Sequence, residues 1–229
     1  MFQGFTDETI AFLLSIRLNN TKTFFDANRD MYERSVKQPL RALAEDLAPV
    51  MSALDPQIDT RPGRVCSRIR RDTRFSRDKS PYRDYVWLSW RYAGEARSES
   101  FGLYWDASPE GMSWGCGSYG EDKPLMDALR ERMRTRPGEL VDILADPRFK
   151  GRFDFYGPEL KRIVIPEEVP QELHFLYRKK GFYVQCVELE ADYPLLFSPR
   201  LIEKLQYEFD CLAPFYHYMR SVREEIRIG

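Results

Sequence analysis

YVWLSWRY, residues 85–92, decides the fold class. The stretch is dense in aromatic and β-branched side chains, a composition that suits a pleated strand better than a helix. It stands where the apolar period of the chain changes. Between about residues 64 and 118, short apolar runs are separated by breaks containing Gly or Pro. Ser100–Trp105 and Met112–Cys116 share the character of 85–92, and Arg64–Ile69 reads as a strand leading into a basic segment. Runs of this length and spacing predict an antiparallel meander.

Toward the N-terminus the period is helical. Thr6 is placed to cap a first helix, with Asp7 and Glu8 favouring its positive end and Phe5 and Ile10 at staple positions. Ile10, Leu13, Leu14 and Leu18 then recur at helical spacing, and Asn19-Asn20 breaks the pattern. A second helix puts Phe24, Phe25, Met31, Tyr32 and Val36 on one face. Pro39 opens a third, striped by Leu40, Leu43, Leu47, Val50, Met51 and Leu54.

Toward the C-terminus, helices are predicted at Pro124–Thr135 and Gly138–Ala145. After an irregular stretch, Glu167–Lys180 reads as a helix stopped by Gly181, and Phe182–Leu189 alternates like a strand. Ser198-Pro199 caps a last long helix carrying Leu201, Leu205, Phe209 and Leu212 and interrupted at Pro214. With no internal repeat and no composition break, the expectation is a single α+β domain over residues 1–229, with helices at both ends packed on a mainly antiparallel sheet. Its parts are a helical region at 1–55, an Arg-rich loop and β-meander at 61–118, helices at 124–146, and a strand and helices at 160–225.

The composition narrows the function classes. The chain's 229 residues are 43% apolar and 31% charged, an ordinary balance for a soluble globular protein, and the 14% of aromatic residues predicts ring-rich cores and pockets. A net charge of −1 argues against a dedicated nucleic-acid binder, which carries a basic domain. Cys66, Cys116, Cys186 and Cys211 are scattered, and His174 and His217 are the sole histidines, so a Cys/His zinc site has little to draw on. Reduced thiols in the cytoplasm are expected. The apolar run Ile10–Ile16 follows acids rather than a basic n-region, and no stretch approaches the ~20 apolar residues of a membrane span. The reading is a soluble cytoplasmic protein without a membrane segment, a resident metal or a cofactor.

One window departs from this neutral background. Residues 61–83, RPGRVCSRIRRDTRFSRDKSPYR, hold nine Arg/Lys and two Asp, a local charge of +7, so the rest of the chain sums to −8. Pro81 and the Ser, Thr and Asp content predict an ordered loop rather than a helix over 70–82. Arg68, Arg71, Arg74 and Arg77 recur every three residues, with Arg70 beside them. Guanidinium groups recognise phosphate or carboxylate in a planar, bidentate manner, and Lys79 adds a point charge. Thr73 and Ser76 would add hydroxyl donors and Tyr82 a ring. The candidate anion site is therefore Arg68, Arg70, Arg71, Asp72, Arg74, Asp78, Lys79 and Tyr82, and its partner a phosphorylated or otherwise anionic small molecule.

Two other readings stand beside this one. Alternating Arg and Asp is also the pattern of a self-satisfied ion-pair network, with Phe75 and Tyr82 as apolar anchors and Asp72 and Asp78 clamping neighbours. Such a protein would be an interaction or structural module, with an aromatic patch from the Trp87/Trp90 strand to meet a protein partner. Alternatively Asp72 or Asp78 serves as acid, base or metal ligand in an enzyme acting on a phosphate-bearing substrate. Nucleophilic catalysis has little to stand on: there is no GxSxG, and His174 and His217 read as helix-face or packed residues.

Gly115-Cys116-Gly117-Ser118-Tyr119-Gly120 is a literal GxGxxG. A dinucleotide fingerprint needs a parallel strand before it and a helix starting inside the glycines. Here an antiparallel meander precedes, and Glu121 and Asp122 follow where a pyrophosphate would sit. A tight turn or bulge with close backbone approach is the better reading.

The string R-R-D-T-R-F-S-R-D-K-S-P-Y, Arg70 to Tyr82, resembles the signature of the family called domain of unknown function 2461, roughly R-D-x-R-F-[ST]-x-D-K-x-P-Y. Further pieces agree in order: Phe5, Phe12-Leu13, Asn19-Asn20, Phe24-Phe25-x-x-Asn28 and Tyr32, then the glycines near 115–120, Leu125 and Leu129-Arg130, Leu160-Lys161-Arg162, and Lys179/Lys180-x-Phe182. The family often has Trp-Phe at Phe24-Phe25 and a proline-containing LKR-P-x-G stretch where this chain has LKRIVIP at 160–166. The resemblance fixes where to look and brings no activity with it. It places Asn28 beside the Asn-Asn turn, and a buried amide on the apolar face with Phe24, Phe25 and Tyr32 is expected to tie that helix to the Arg loop.

Overall fold

The structure is a computed structural model that describes residues 1–74, 76–96, 100–118, 120–186 and 193–228. In chain order its helices are α1 (Asp7–Leu18), α2 (Lys22–Ala27), α3 (Arg29–Tyr32), α4 (Gln38–Leu54) and α5 (Pro62–Val65), then α6 (Lys123–Thr135), α7 (Gly138–Ala145), α8 (His174–Tyr177), α9 (Tyr193–Leu196) and α10 (Leu201–Ile228). The strands are β1 (Val86–Trp90), β2 (Phe101–Ser108), β3 (Gly111–Ser118), β4 (Phe153–Tyr156) and β5 (Tyr183–Cys186), joined as one antiparallel sheet in the order β1-β2-β3-β5-β4. The chain is α+β, as the change of period at residues 85–92 requires. No helix among the described residues is long and apolar enough to cross a membrane. By internal packing the chain divides into two compact units, Met1–Trp90 with Tyr104–Ser113 and Leu189–Tyr207, and Arg91–Leu103 with Trp114–Glu188 and Glu208–Gly229.

The first unit is built on α1 to α4. The segment Ile10–Leu18 is apolar almost all round, so it offers two overlapping stripes. The buried one is Thr9, Phe12, Leu13 and Ile16, whereas Leu14 and Leu18 of the expected stripe are 42% and 81% exposed. Phe12 gives that face its bulk and packs on Tyr32, with ring centres 5.6 Å apart. The second expected helix is interrupted at Asn28. Its side-chain Nδ2 donates to Phe24 O at 2.9 Å, a local cap at the α2–α3 junction instead of a tie to the Arg loop. Pro39 does not open a new helix either. Helical backbone continues from α3 through a π-turn, Glu33–Lys37, into α4, where Leu40, Leu43, Ala44, Leu47 and Met51 are buried. Phe5 closes the unit, stacked on Trp105 at 5.7 Å and donating its N–H to Leu196 O at 3.0 Å.

In the second unit Phe101, Phe149, Phe155, Phe182 and Phe215 form a continuous ring cluster. Asp122 caps α6, accepting Leu125 N–H at 3.1 Å, and its carboxylate also pairs with the buried Arg223 guanidinium. Arg220 meets Glu95 at 2.8 Å, both nearly inaccessible, so these charges enter the core paired, as burial demands. Gly117 shows why the glycine motif exists: a Cβ there would lie 2.4 Å from Tyr183 Cβ and 2.9 Å from Phe182 O, across the β3–β5 pairing. The motif serves close strand approach within an antiparallel pair; Tyr119 lies outside the described residues.

Several boundaries differ from expectation. Arg64–Ile69 is not a strand: Pro62 at the first helical position starts the single turn α5, and only Cys66 makes a bridge, to Leu88. Glu167–Lys180 holds a 3-10 turn at Gln171–Leu173 and the four residues of α8, because Pro170 denies the longer helix a donor. Residues 187–189 of the expected strand lie outside the described residues. β4 falls in the stretch read as irregular. α10 runs through Pro214, where the carbonyl stripped of its partner belongs to exposed Asp210.

Candidate functional site

The basic window lies wholly in the first unit, and its ends are fastened before its charges come into play. Ser67 N–H donates to Trp87 O at 2.9 Å, and Trp87 N–H returns a bond to Ser67 Oγ at 3.0 Å. A two-sided neck follows. Arg70 bridges Tyr82, Arg71 N–H donates to Pro81 O at 2.9 Å, and Arg83 N–H donates to Ile69 O at 2.9 Å. Residues 72–80 are therefore a loop held at its base.

Two contacts fix that base. The Tyr82 ring is 1% exposed and stacks on Phe25 with centres 4.4 Å apart. Asn20 takes both main-chain groups of Tyr82: its Nδ2 donates to Tyr82 O and its Oδ1 accepts Tyr82 N–H, each at 2.9 Å. The amide expected at Asn28 to tie the helices to the loop is thus Asn20. Tyr82, expected to offer its ring to a ligand, turns that ring into the core.

Across the basic window the cations divide into three groups. Arg74 forks onto Asp72, with Nε to Oδ1 at 2.9 Å and Nη2 to Oδ2 at 2.6 Å. Arg71 pairs with Asp78, and Arg61 pairs with Asp59 through Nε at 2.8 Å. The second group leans on the backbone or on rings. Lys79 Nζ donates to Thr73 O at 2.9 Å; Arg83 Nη1 donates to Arg68 O at 2.9 Å and to Arg70 O, and its guanidinium lies 4.8 Å from the Trp87 ring centre. Arg70 lies 5.6 Å from the Tyr82 ring centre. The third group is Arg64, Arg68 and Arg77, all exposed and without a side-chain hydrogen bond or close ion pair among the described residues, although Arg64 lies near enough to Asp59 to help lower its carboxyl.

The carboxylates respond to these contacts. The Arg74 side chain, and then its backbone N–H, hold the Asp72 carboxyl down at about 2. Asp78 is likewise lowered to about 2, first by the backbone and hydroxyl of Ser80 and then by Arg71. Both acids stay ionised at any ordinary pH. The nearby Cys66 thiol is pushed up to about 11 by burial and is no thiolate at neutrality. Among the described residues no cluster of three or more His, Cys, Asp or Glu is placed to hold a metal ion.

The order in which this loop, its Asn-Asn turn and its Phe-Phe anchor follow one another is the one the signature prescribes. The chain belongs to the DUF2461 family. The pattern for this family, described as Conserved hypothetical protein (DUF2461), matches residues 8–218. No curated protein and no solved structure matches the chain. The family signature thus spans both the neck and the loop. Phe75 of the signature lies outside the described residues. Of the candidate residues, Asp72, Arg74, Asp78 and Lys79 lie in the loop, Arg70 and Arg71 in its neck, and Arg68 just before it. Sequence reasoning left Arg64 and Arg77 out of the candidate set, although Arg77 completes the triplet spacing begun by Arg68.

Proposed function

We propose that the DUF2461 signature loop binds a phosphorylated or otherwise anionic small molecule through Arg68 and Arg77, with Arg70 and Lys79 adding charge. The observation that carries this reading is the internal charge account. Arg61, Arg71 and Arg74 have carboxylate partners, whereas Arg64, Arg68, Arg70, Arg77, Lys79 and Arg83 have none within ion-pair distance among the described residues. A loop serving only as its own ion-pair network would not carry so many unmatched cations on a chain of net charge −1. The Arg71–Asp78 and Arg74–Asp72 pairs are solvent-exposed and therefore weak, so a dianion can displace the carboxylates at little cost. The enzyme reading has less support, because carboxyls held near 2 are poorly matched to proton transfer at neutral pH.

The test is thermal denaturation with inorganic phosphate, pyrophosphate and a nucleoside triphosphate. At a hundredfold excess over Kd the bound protein gains on the order of 2–3 kcal/mol of stability, and the gain shrinks as salt is added. The Arg68→Ala/Arg77→Ala protein loses it. In NMR titrations the anion draws Arg74 away and moves the Asp72 carboxyl up from about 2. Absence of stabilisation by all three anions, or full stabilisation of the double variant, overturns the proposal.

A further inference from the structure

The second unit carries an open sheet edge beside a groove. β4 ends the strand order, and its residues pair with β5 as Phe153↔Cys186, Asp154↔Gln185, Phe155↔Val184 and Tyr156↔Tyr183. Antiparallel strands turn alternate residues toward each neighbour. Ser118 N–H donates to Phe182 O at 3.1 Å, one step beyond the Gly117↔Tyr183 pairing, so Phe182 and Val184 face β3 and Tyr183 and Gln185 face β4. Their opposites, Tyr156 and Asp154, take those bonds. Phe153 and Phe155 must then point their N–H and C=O groups away from β5. Phe153 does so, donating its N–H to Phe149 O at 3.3 Å. The C=O of Phe153 and both main-chain groups of Phe155 remain on the edge without a backbone partner among the described residues.

This edge opens into a groove of about 540 Å³. Val141 and Leu144 of α7, the rings of Phe149 and Phe175, and Phe153 and Phe155 of β4 line it. The volume suits two or three apolar side chains rather than water. Its charged lining is Asp154, Glu172 and Lys150, all exposed, and neither carboxylate has an ion-pair partner among the described residues. From α7 only Val141, Leu144 and Ala145 reach the lining, so that wall adds no charge to it.

We propose that β4 receives an extended peptide from a partner protein as an added strand, with alternating apolar and basic side chains. The unpaired Phe155 amide and carbonyl supply the main-chain bonds, as in other strand-addition modes. Successive side chains of an added strand fall on opposite faces. One set enters the groove on the side of Phe153 and Phe155, and the other lies over the face of Asp154, whose carboxylate selects Lys or Arg, with Glu172 at the groove's edge as a second acid.

The test uses the full chain with two capped hexapeptides, acetyl-Lys-Leu-Lys-Leu-Lys-Leu-amide and its Glu-for-Lys counterpart. By calorimetry the lysyl peptide binds at least tenfold more tightly, and amide exchange at Phe155 slows when it does. Ala145→Trp fills the groove from α7 and weakens binding tenfold or more. Asp154→Lys/Glu172→Lys reverses the preference. Equal binding of the two peptides, binding of neither, or unchanged exchange at Phe155 overturns the proposal. So does a Phe155 amide already protected in the protein alone as its mass doubles with concentration, which would assign the edge to a second copy of this chain.

Discussion

Asn20 does more for the signature loop than any of the arginines that draw the eye. One side-chain amide satisfies the donor and the acceptor of Tyr82, in the way a neighbouring strand would. Asn20→Ala leaves both half-buried groups unmatched and lowers stability by about 2–3 kcal/mol, read as a shift in the urea midpoint. Asn20→Asp keeps the acceptor for Tyr82 N–H but sets a carboxylate oxygen against Tyr82 O, so it too is destabilising at neutral pH. Asn19-Asn20 is legible as a break in helical spacing and as a piece of the family pattern, neither of which names its partner. An amide's partner 62 residues away leaves no local trace, and Asn28, flanked by Phe24, Phe25 and Tyr32, imitated the expected tie while capping its own helix. The arginines show the same limit. Their number and spacing were legible, but which of them meets Asp72, Asp78 or a carbonyl depends on how the neck closes.

The π-turn Glu33–Lys37 illustrates how one residue reshapes an element. Pro39 has no N–H to give the carbonyl of Ser35, four residues earlier, so that acceptor would be stranded in the core. Thr9, buried in α1, fills the gap: its hydroxyl donates to Ser35 O at 2.6 Å. The same oxygen accepts Thr6 N–H at 3.1 Å at the start of α1. Thr9→Val, nearly isosteric, therefore costs about 1–3 kcal/mol by thermal or urea denaturation. In Pro39→Ala/Thr9→Val the new amide can supply Ser35, and the double variant loses less than the sum of its parts. Propensity and period reached as far as local chemistry does. The bounds of α7 were read correctly, since Pro137 and the caps around it lie in the same dozen residues. β4 was missed because a four-residue strand without a turn signal has its warrant in β5, some thirty residues on.

The two compact units are not two consecutive stretches of chain. The first takes in Met1–Trp90, then Tyr104–Ser113, then Leu189–Tyr207. A fragment ending at Trp90 lacks Trp105, on which Phe5 stacks, and Leu196, whose carbonyl takes the Phe5 N–H. Expressed alone, residues 1–90 are expected to lack a cooperative thermal transition and near-ultraviolet tyrosine and tryptophan structure, although their helices still register in the far ultraviolet. A sharp transition in that fragment would show that the later segments are dispensable. The change of period at 85–92 foretold helices and a sheet, but not this interleaving, which arises from pairings between distant strands and helices. It also sets a timetable at the ribosome. At roughly 5–20 residues per second, Leu196 emerges some ten seconds or more after Phe5. For that interval the first helices must wait with an apolar face uncovered, which makes the newborn chain, far more than the finished protein, the natural client of a chaperone.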